Sequence, residues 1–221
     1  MRPAVTPRVK ICCIASHAEA ELAVRAGADA VGLVSAMPSG PGPIAEDLIA
    51  RIAARVPPPV ATFLLTSLRD AEAIVAQHRR CGTSTIQLCD AIGTGAYAAL
   101  RRGLPGVRLV QVIHVQDAGS VEEAARAAPH VDALLLDSGN PRRAVKELGG
   151  TGRVHDWSLS RAIRDVVTVP VFLAGGLRAA NVREAMDAVG PYGLDVCTGV
   201  RTDGQLDPDK VMAFIAAARA A

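Results

Sequence analysis

Short apolar runs and amphipathic stretches alternate along the whole 221-residue chain. Val9–Ile14 is followed by His17–Ala26, Asp29–Ser35 by Ile44–Val56, and Pro59–Leu65 by Leu68–His78. Thr85–Cys89 leads to Ala91–Arg102, Val107–Val115 to Ser120–Ala128, and Ala133–Asp137, after a long loop, to Ser158–Val166. Val169–Gly176 then precedes Ala179–Val189, and Leu194–Val200 precedes Pro208–Ala220. The apolar runs are short and nearly continuous, the pattern of strands buried on both faces, whereas the intervening stretches repeat Ala, Leu, Ile and Val at helical spacing. Helix starts carry their usual signals. Ser120 with Glu122 and Glu123 predicts an N-cap and a negative first turn, Asp156 predicts the N-cap of the sixth helix, and Asp207-Pro208 reads as N-cap and first helical residue.

Strand and helix alternating at this rhythm imply right-handed βαβ units and a parallel sheet. Eight such units in a chain of this length predict a single α/β domain over residues 1–221, a closed (β/α)8 TIM barrel. An open doubly wound sheet is the competitor, but no G-x-G-x-x-G follows the first apolar run. No shift of composition marks a linker.

Half the residues are hydrophobic and only six are aromatic, so the core must be built from Ala, Val, Leu and Ile. Twenty-four basic and 22 acidic residues are spread over helical surfaces, with neither a basic stripe nor stacking aromatics, which argues against nucleic acid as a partner. Cys12, Cys13, Cys81, Cys89 and Cys197 are an odd number at low density, expected to be reduced thiols. The N-terminal MRPAVTPRVK lacks a signal-peptide core, and no run is long enough to span a membrane, so the expected location is cytoplasmic.

In a barrel, function collects at the carboxyl ends of the strands, and phosphate often sits in the loops after the seventh and eighth. Those ends are Cys12-Cys13, Ser35, Thr66, Cys89-Asp90, His114, Asp137-Ser138, Ala174-Gly175-Gly176 and Cys197-Thr198-Gly199. The stretch Val131–Leu159 stands out. Its apolar run ends in Asp137, and about eighteen residues without a clear period follow, far longer than an ordinary connection. This loop carries Gly149-Gly150-Thr151-Gly152, whose backbone amides can close on an anion. Phosphate is therefore expected against Gly150, Thr151, Gly152, Gly175, Gly176, Thr198 and Gly199, with His114 and Cys89 as further substrate contacts. Arg142, Arg143 and Lys146 can attract a phosphorylated molecule or simply face solvent. Cys13 is expected on the outer face, toward the helices, as packing. His17, His78 and His130 read as surface residues, His155 as a loop residue, and Met37, Phe63, Phe172 and Phe214 as filler.

The strand ends, in this order, resemble those of the phosphoribosylanthranilate isomerase family. VKIC at Val9–Cys12, GADAVGLV at Gly27–Val34, IQLCD at Ile86–Asp90 and LLLDS at Leu134–Ser138 are similar to its first, second, fourth and sixth strand motifs. GGTG with HDWSL at His155–Leu159 resembles its flexible loop, and AGGLRAANV and YGLDVCTGV resemble its seventh and eighth units. The resemblance implies an Amadori rearrangement of an N-(5′-phosphoribosyl)amine to a 1-deoxyribulose 5-phosphate in tryptophan biosynthesis, by a monomer or homodimer, without metal or organic cofactor. It makes Asp137 the general acid that opens the furanose ring and Cys12 the general base that takes the C2′ proton. Such a carboxyl needs a raised pKa and such a thiol a lowered one. Lys10, two residues before Cys12 and on the same strand face, can lower it, or hold a carboxylate deeper in the barrel. The chain departs from the family at AMPSGPGPI, where an arginine is usual, at Cys13 for Gly, at Cys89 for His, and at Cys197-Thr198 and Arg201 for Ser-Ser and Glu. The alternative is therefore a divergent paralogue that acts on or binds a different phosphorylated sugar. A non-catalytic binding barrel is the third reading.

Overall fold

A computed structural model describes residues 6–220; Met1–Val5, within the N-terminal stretch read above, and Ala221 lie outside the described residues. Eight parallel strands, β1 (Arg8–Ile11), β2 (Ala30–Val34), β3 (Ala61–Thr66), β4 (Thr85–Leu88), β5 (Arg108–His114), β6 (Ala133–Asp137), β7 (Val171–Leu173) and β8 (Gly193–Val196), pair in chain order, and β8 returns to β1 to close the barrel. Eight helices surround it: α1 (His17–Ala26), α2 (Glu46–Ala53), α3 (Ala71–Cys81), α4 (Thr94–Gly103), α5 (Gly119–Ala127), α6 (Trp157–Val166), α7 (Val182–Val189) and α8 (Pro208–Arg219). The (β/α)8 TIM-barrel expectation is borne out. A two-stranded hairpin, β9 (Arg201–Thr202) with β10 (Gln205–Leu206), lies between β8 and α8 and had no signal in the apolar pattern.

Strand alternation divides the buried residues into two cores. Outward residues such as Val9, Ile11, Leu33, Leu64, Ile86 and Leu134 pack under the helices with Ile49, Ile74, Leu100, Ile163 and Phe214. Inward residues, among them Cys12, Phe63, Leu65, Cys89, Val112, Leu135 and Phe172, fill the barrel. The strand–helix period explains the separation, since neighbouring strand residues face opposite sides. Phe63 and Phe172 meet edge to face at 6.2 Å in the barrel interior, and the Lys10 ammonium stands 5.2 Å above the Phe63 ring.

Several helix ends follow their local chemistry. Ser16 caps α1 by accepting from Glu19 N, Asp156 caps α6 from Ser158 N, and Asp207 caps α8 from Asp209 and Lys210 N, with Pro208 in the first turn. Ser120 does not cap α5. That helix starts one residue earlier, after Ala118, and the Ser120 hydroxyl instead donates to His114 O and accepts from Gln116 N, tying the helix to the end of β5. His78 is buried rather than superficial, because its Nε2 shares a hydrogen with the Thr83 carbonyl at 2.7 Å. The strands also end earlier than the apolar runs. β1 stops at Ile11, β7 at Leu173 and β8 at Val196, so the residues expected to finish them form turns at the barrel mouth.

Candidate active site

β1 pairs with β8 in a register that sets Lys10 opposite Asp195. The two make a buried ion pair at 2.8 Å, and Lys10 Nζ also donates to the Cys12 sulfur at 3.4 Å. Both roles considered for Lys10 are thus realised at once. Burial opposes its charge, but the Asp195 carboxylate and the Cys12 sulfur more than offset this and hold the ammonium above its ordinary value. The Cys12 thiol is lowered, first by a hydrogen bond from the Cys13 thiol and then by Lys10, against burial and the Asp195 charge. Space for this group comes from Gly32 on β2: a Cβ there would stand 2.8 Å from the Cys12 sulfur and 3.0 Å from Lys10 Nζ.

Cys13 corrects the expectation of an outward, packing residue. With β1 ended, Cys13 turns into the left-handed region at φ 61°, a conformation glycine takes without strain and other residues rarely adopt. The turn carries its side chain back to the mouth, where its sulfur lies 2.8 Å from that of Cys197. The contact with Cys12 most of all, then that with Cys197 and burial, push the Cys13 thiol well above the ordinary value, opposite to the shift of Cys12. Arg201 fastens the same turn from outside. Its guanidinium pairs with Glu19 at 2.9 Å and donates to the carbonyls of Cys12 and Cys13.

Asp137 ends β6, 8% exposed, its Oδ1 accepting from Ser138 N at 2.7 Å. The long loop folds back over it: a Cβ on Gly149 would lie 2.8 Å from Asp137 Oδ2, and Thr151 Oγ1 meets Ser138 Oγ at 2.7 Å. Farther along, the loop passes over the glycine pair after β7, where a Gly176 Cβ would strike Arg153 and Val154. His155 stands beside Gly175, with its Nε2 2.6 Å from Ser160 Oγ; burial lowers its pKa against the pull of Asp137 and Asp156, which keeps the ring neutral.

Cys12, Cys13, Asp137 and Asp195 line one cavity at the carboxyl end of the barrel, with Gly150, Thr151, Gly152, Gly175, Gly176 and Thr198 around its rim. Cys89 also lines it, a thiol held neutral by burial. Gly199 stands apart from the lining and packs against the backbone of Leu177 and Arg178, so closely that no side chain fits there. His114 does not reach the cavity: its Nε2 shares a hydrogen with the Cys89 carbonyl at 2.9 Å, and its ring abuts Gly139. Arg142, Arg143 and Lys146 are engaged with Asp117, Glu147 and Asp90.

Further residues complete the site, among them Met37, which is lining rather than the filler expected from the sequence. Gln87 lines the cavity with an unpartnered Oε1, and Met37, Ser39, Gly40, Pro41 and Leu148 form its roof. Ser39 donates to the Lys146 carbonyl at 2.6 Å, and the Pro41 ring rests on Gly150, so the loops after β2 and β6 meet over the mouth. The cavity measures about 60 Å³. Sites for small organic ligands run to several hundred Å³, more than the mouth holds with these loops in place. A signal for Asp195 existed: Asp195 and Cys197 repeat the spacing of Lys10 and Cys12, two residues apart on one strand face.

Known proteins match this arrangement along nearly the full chain. The family model for N-(5′-phosphoribosyl)anthranilate (PRA) isomerase matches residues 9–217. The N-(5′-phosphoribosyl)anthranilate isomerase of Halobacterium salinarum is 39% identical over 96% of both chains. The phosphoribosyl anthranilate isomerase structure from Thermotoga maritima superposes with a TM-score of 0.80 at 30% identity, covering 96% of this chain and 98% of that one. A phosphoribosyl anthranilate isomerase in complex with reduced 1-(o-carboxyphenylamino)-1-deoxyribulose 5-phosphate superposes at 0.77, with 29% identity and the same coverage. The barrel, the strand-end residues and these matches together make this chain a member of the N-(5′-phosphoribosyl)anthranilate isomerase family.

Proposed function

We propose that this chain isomerises N-(5′-phosphoribosyl)anthranilate to 1-(o-carboxyphenylamino)-1-deoxyribulose 5-phosphate in tryptophan biosynthesis, as a cytoplasmic enzyme. The observation that carries the reading is a thiol tuned by a buried ammonium and a strand-end carboxyl in one cavity, beside the bare backbone of two glycine turns. Phosphate docks on Gly150, Thr151, Gly152, Gly175, Gly176 and Thr198, where successive backbone amides and a hydroxyl can meet its oxygens. The aryl ring lies against Met37, Val34, Leu65 and Leu148.

Asp137 gives its proton to the furanose ring oxygen as the C1′–O bond breaks, and the nitrogen lone pair completes a Schiff base. The Cys12 thiolate then takes the C2′ proton, leaving an enolamine that tautomerises to the ketone. Acid and base exchange protonation states, and solvent resets them. General acid–base steps of this kind contribute roughly 10²–10⁴-fold each. Lys10 keeps a negative sulfur affordable in a buried site, and closure of the two loops excludes water around the intermediate. The test is turnover: purified protein given phosphoribosyl anthranilate should consume its fluorescence and should restore growth to a tryptophan auxotroph lacking the isomerase. Failure of both sinks the proposal.

A further inference from the structure

We propose that Cys13 and Cys197 form a reversible oxidation site at the barrel mouth, closing to an intramolecular disulfide on exposure to hydrogen peroxide. The neighbouring strands that close the barrel supply the geometry. Ile11 and Val196 are register partners, and the chain leaves both strands immediately afterwards. The left-handed turn at Cys13 brings its sulfur to 2.8 Å from Cys197 Sγ, with both thiols free. A residue other than glycine held at positive φ is strained, and such strain gathers at functional positions.

Access is graded in a way that suits the chemistry. Cys197 is partly exposed, Cys13 is buried beneath Gly42, and both line the mouth cavity. Because Cys197 is partly exposed on the lining of the mouth cavity, a peroxide of near-water size can reach its sulfur. The peroxide O–O bond breaks as Cys197 sulfur takes one oxygen, giving a sulfenic acid and water. Cys13 sulfur then attacks that sulfenic sulfur, the S–S bond forms, and a second water leaves. Two thiols are oxidised by two electrons, and one peroxide is reduced to two waters. In proteins of reducing compartments, disulfides of this kind are transient and redox-sensing rather than structural, and a dithiol reverses them by exchange.

The consequence for turnover rests on the isomerase reading. Once bonded to Cys197, Cys13 has no S–H to offer Cys12, and the turn beside the base is tied to the segment that carries Thr198. Oxidised protein should therefore lose at least tenfold in kcat/KM at neutral pH, with the rising limb of the pH profile moved upward, and a dithiol should restore both.

The reduced full-length chain is treated with stoichiometric hydrogen peroxide, and its thiols are counted before peptide mapping without reductant. The expected result is a fall from five thiols to three, with one linked pair of peptides containing Cys13 and Cys197. Cys197→Ser should give no linked pair, whereas Cys81→Ser, altered on a helix away from the mouth, should still give it. Oxidation that leaves all peptides unlinked, or a pair that includes Cys12, overturns the proposal. The linkage is read without substrate, so a chain that forms it but turns over nothing refutes only the isomerase reading. Turnover that is indifferent to a formed linkage refutes the effect on activity.

Discussion

Around Cys12 the molecule is barrel strand and buried charge; around Asp137 it is loop and glycine. The thiol directly follows β1 beside the Lys10–Asp195 pair, in room left by Gly32, with its turn strapped by Arg201 and Glu19. The carboxyl stands at a strand end too, yet what covers it is Gly149-Gly150-Thr151-Gly152, whose three glycines all have positive φ. The difference follows from what each group needs in the proposed mechanism. A thiol becomes a base only where fixed charge favours its anion, which a rigid barrel interior provides. The acid works beside a substrate that must first get in, and its cover has to move.

The sharpest break of this comparison is to remove each group. Cys12→Ala and Asp137→Ala should each lower kcat by roughly 10²–10⁴-fold while leaving thermal unfolding close to that of the parent; steady-state kinetics beside calorimetry check both halves. Equal loss with collapsed stability would make either residue merely structural.

Next is Lys10→Met, which should hurt the strand side alone. It leaves the Asp195 carboxylate buried and unpaired, a loss of about 3–5 kcal/mol for such pairs, read by denaturant titration. The same change removes a positive charge from beside Cys12. Because the folded Cys12 pKa lies below its ordinary value, the rising limb of kcat/KM in the parent should fall at lower pH than an ordinary thiol would give. In Lys10→Met that limb should move to higher pH. An unmoved limb would mean that Lys10 serves packing only.

Gly149→Ala probes the loop side. The residue sits at φ 137°, and an added Cβ would lie 2.8 Å from the Asp137 carboxylate. Strain of about 1–3 kcal/mol falls on the closed loop, so kcat/KM should drop about tenfold while global stability stays nearly unchanged. A large fall in unfolding midpoint instead would show the loop to be part of the rigid frame.

The smallest effect belongs to the strap. Burial raises the Glu19 pKa, but Arg201 and the amides of Ala15 and Leu206 lower it further, so its folded value lies below the unfolded one. Its stabilisation is then present above the unfolded value of about 4.3 and is lost as pH falls through the folded value. Glu19→Gln should flatten that part of the stability–pH curve, measured by thermal scans between neutral and acid pH.

Much of this was legible in the chain. The period of apolar residues reveals strand or helix directly, because burial on one or two faces is a local property, and from eight such units the barrel follows. Asp137, Cys12 and the glycine turns were placed at the mouth by position, since a barrel collects its chemistry at the strand ends, whereas the acid and base roles came from the family resemblance. His114 shows the limit of that rule: it lies at a strand end, yet the Cys89 carbonyl holds its ring away from the cavity. Cys13 shows another, because period-two reasoning fails once the strand has stopped and φ has changed sign.

The chain by itself therefore determined the elements, their order and most of the residues that crowd the mouth. Closure of the barrel decided the rest. Lys10 meets Asp195 across 185 positions, and Cys13 meets Cys197 across 184, through the register of β1 with β8. Pro41 reaches Gly150 because two loops lean together over a common axis. No local pattern encodes such pairs: they arise from how distant strands align when the sheet joins its own edge.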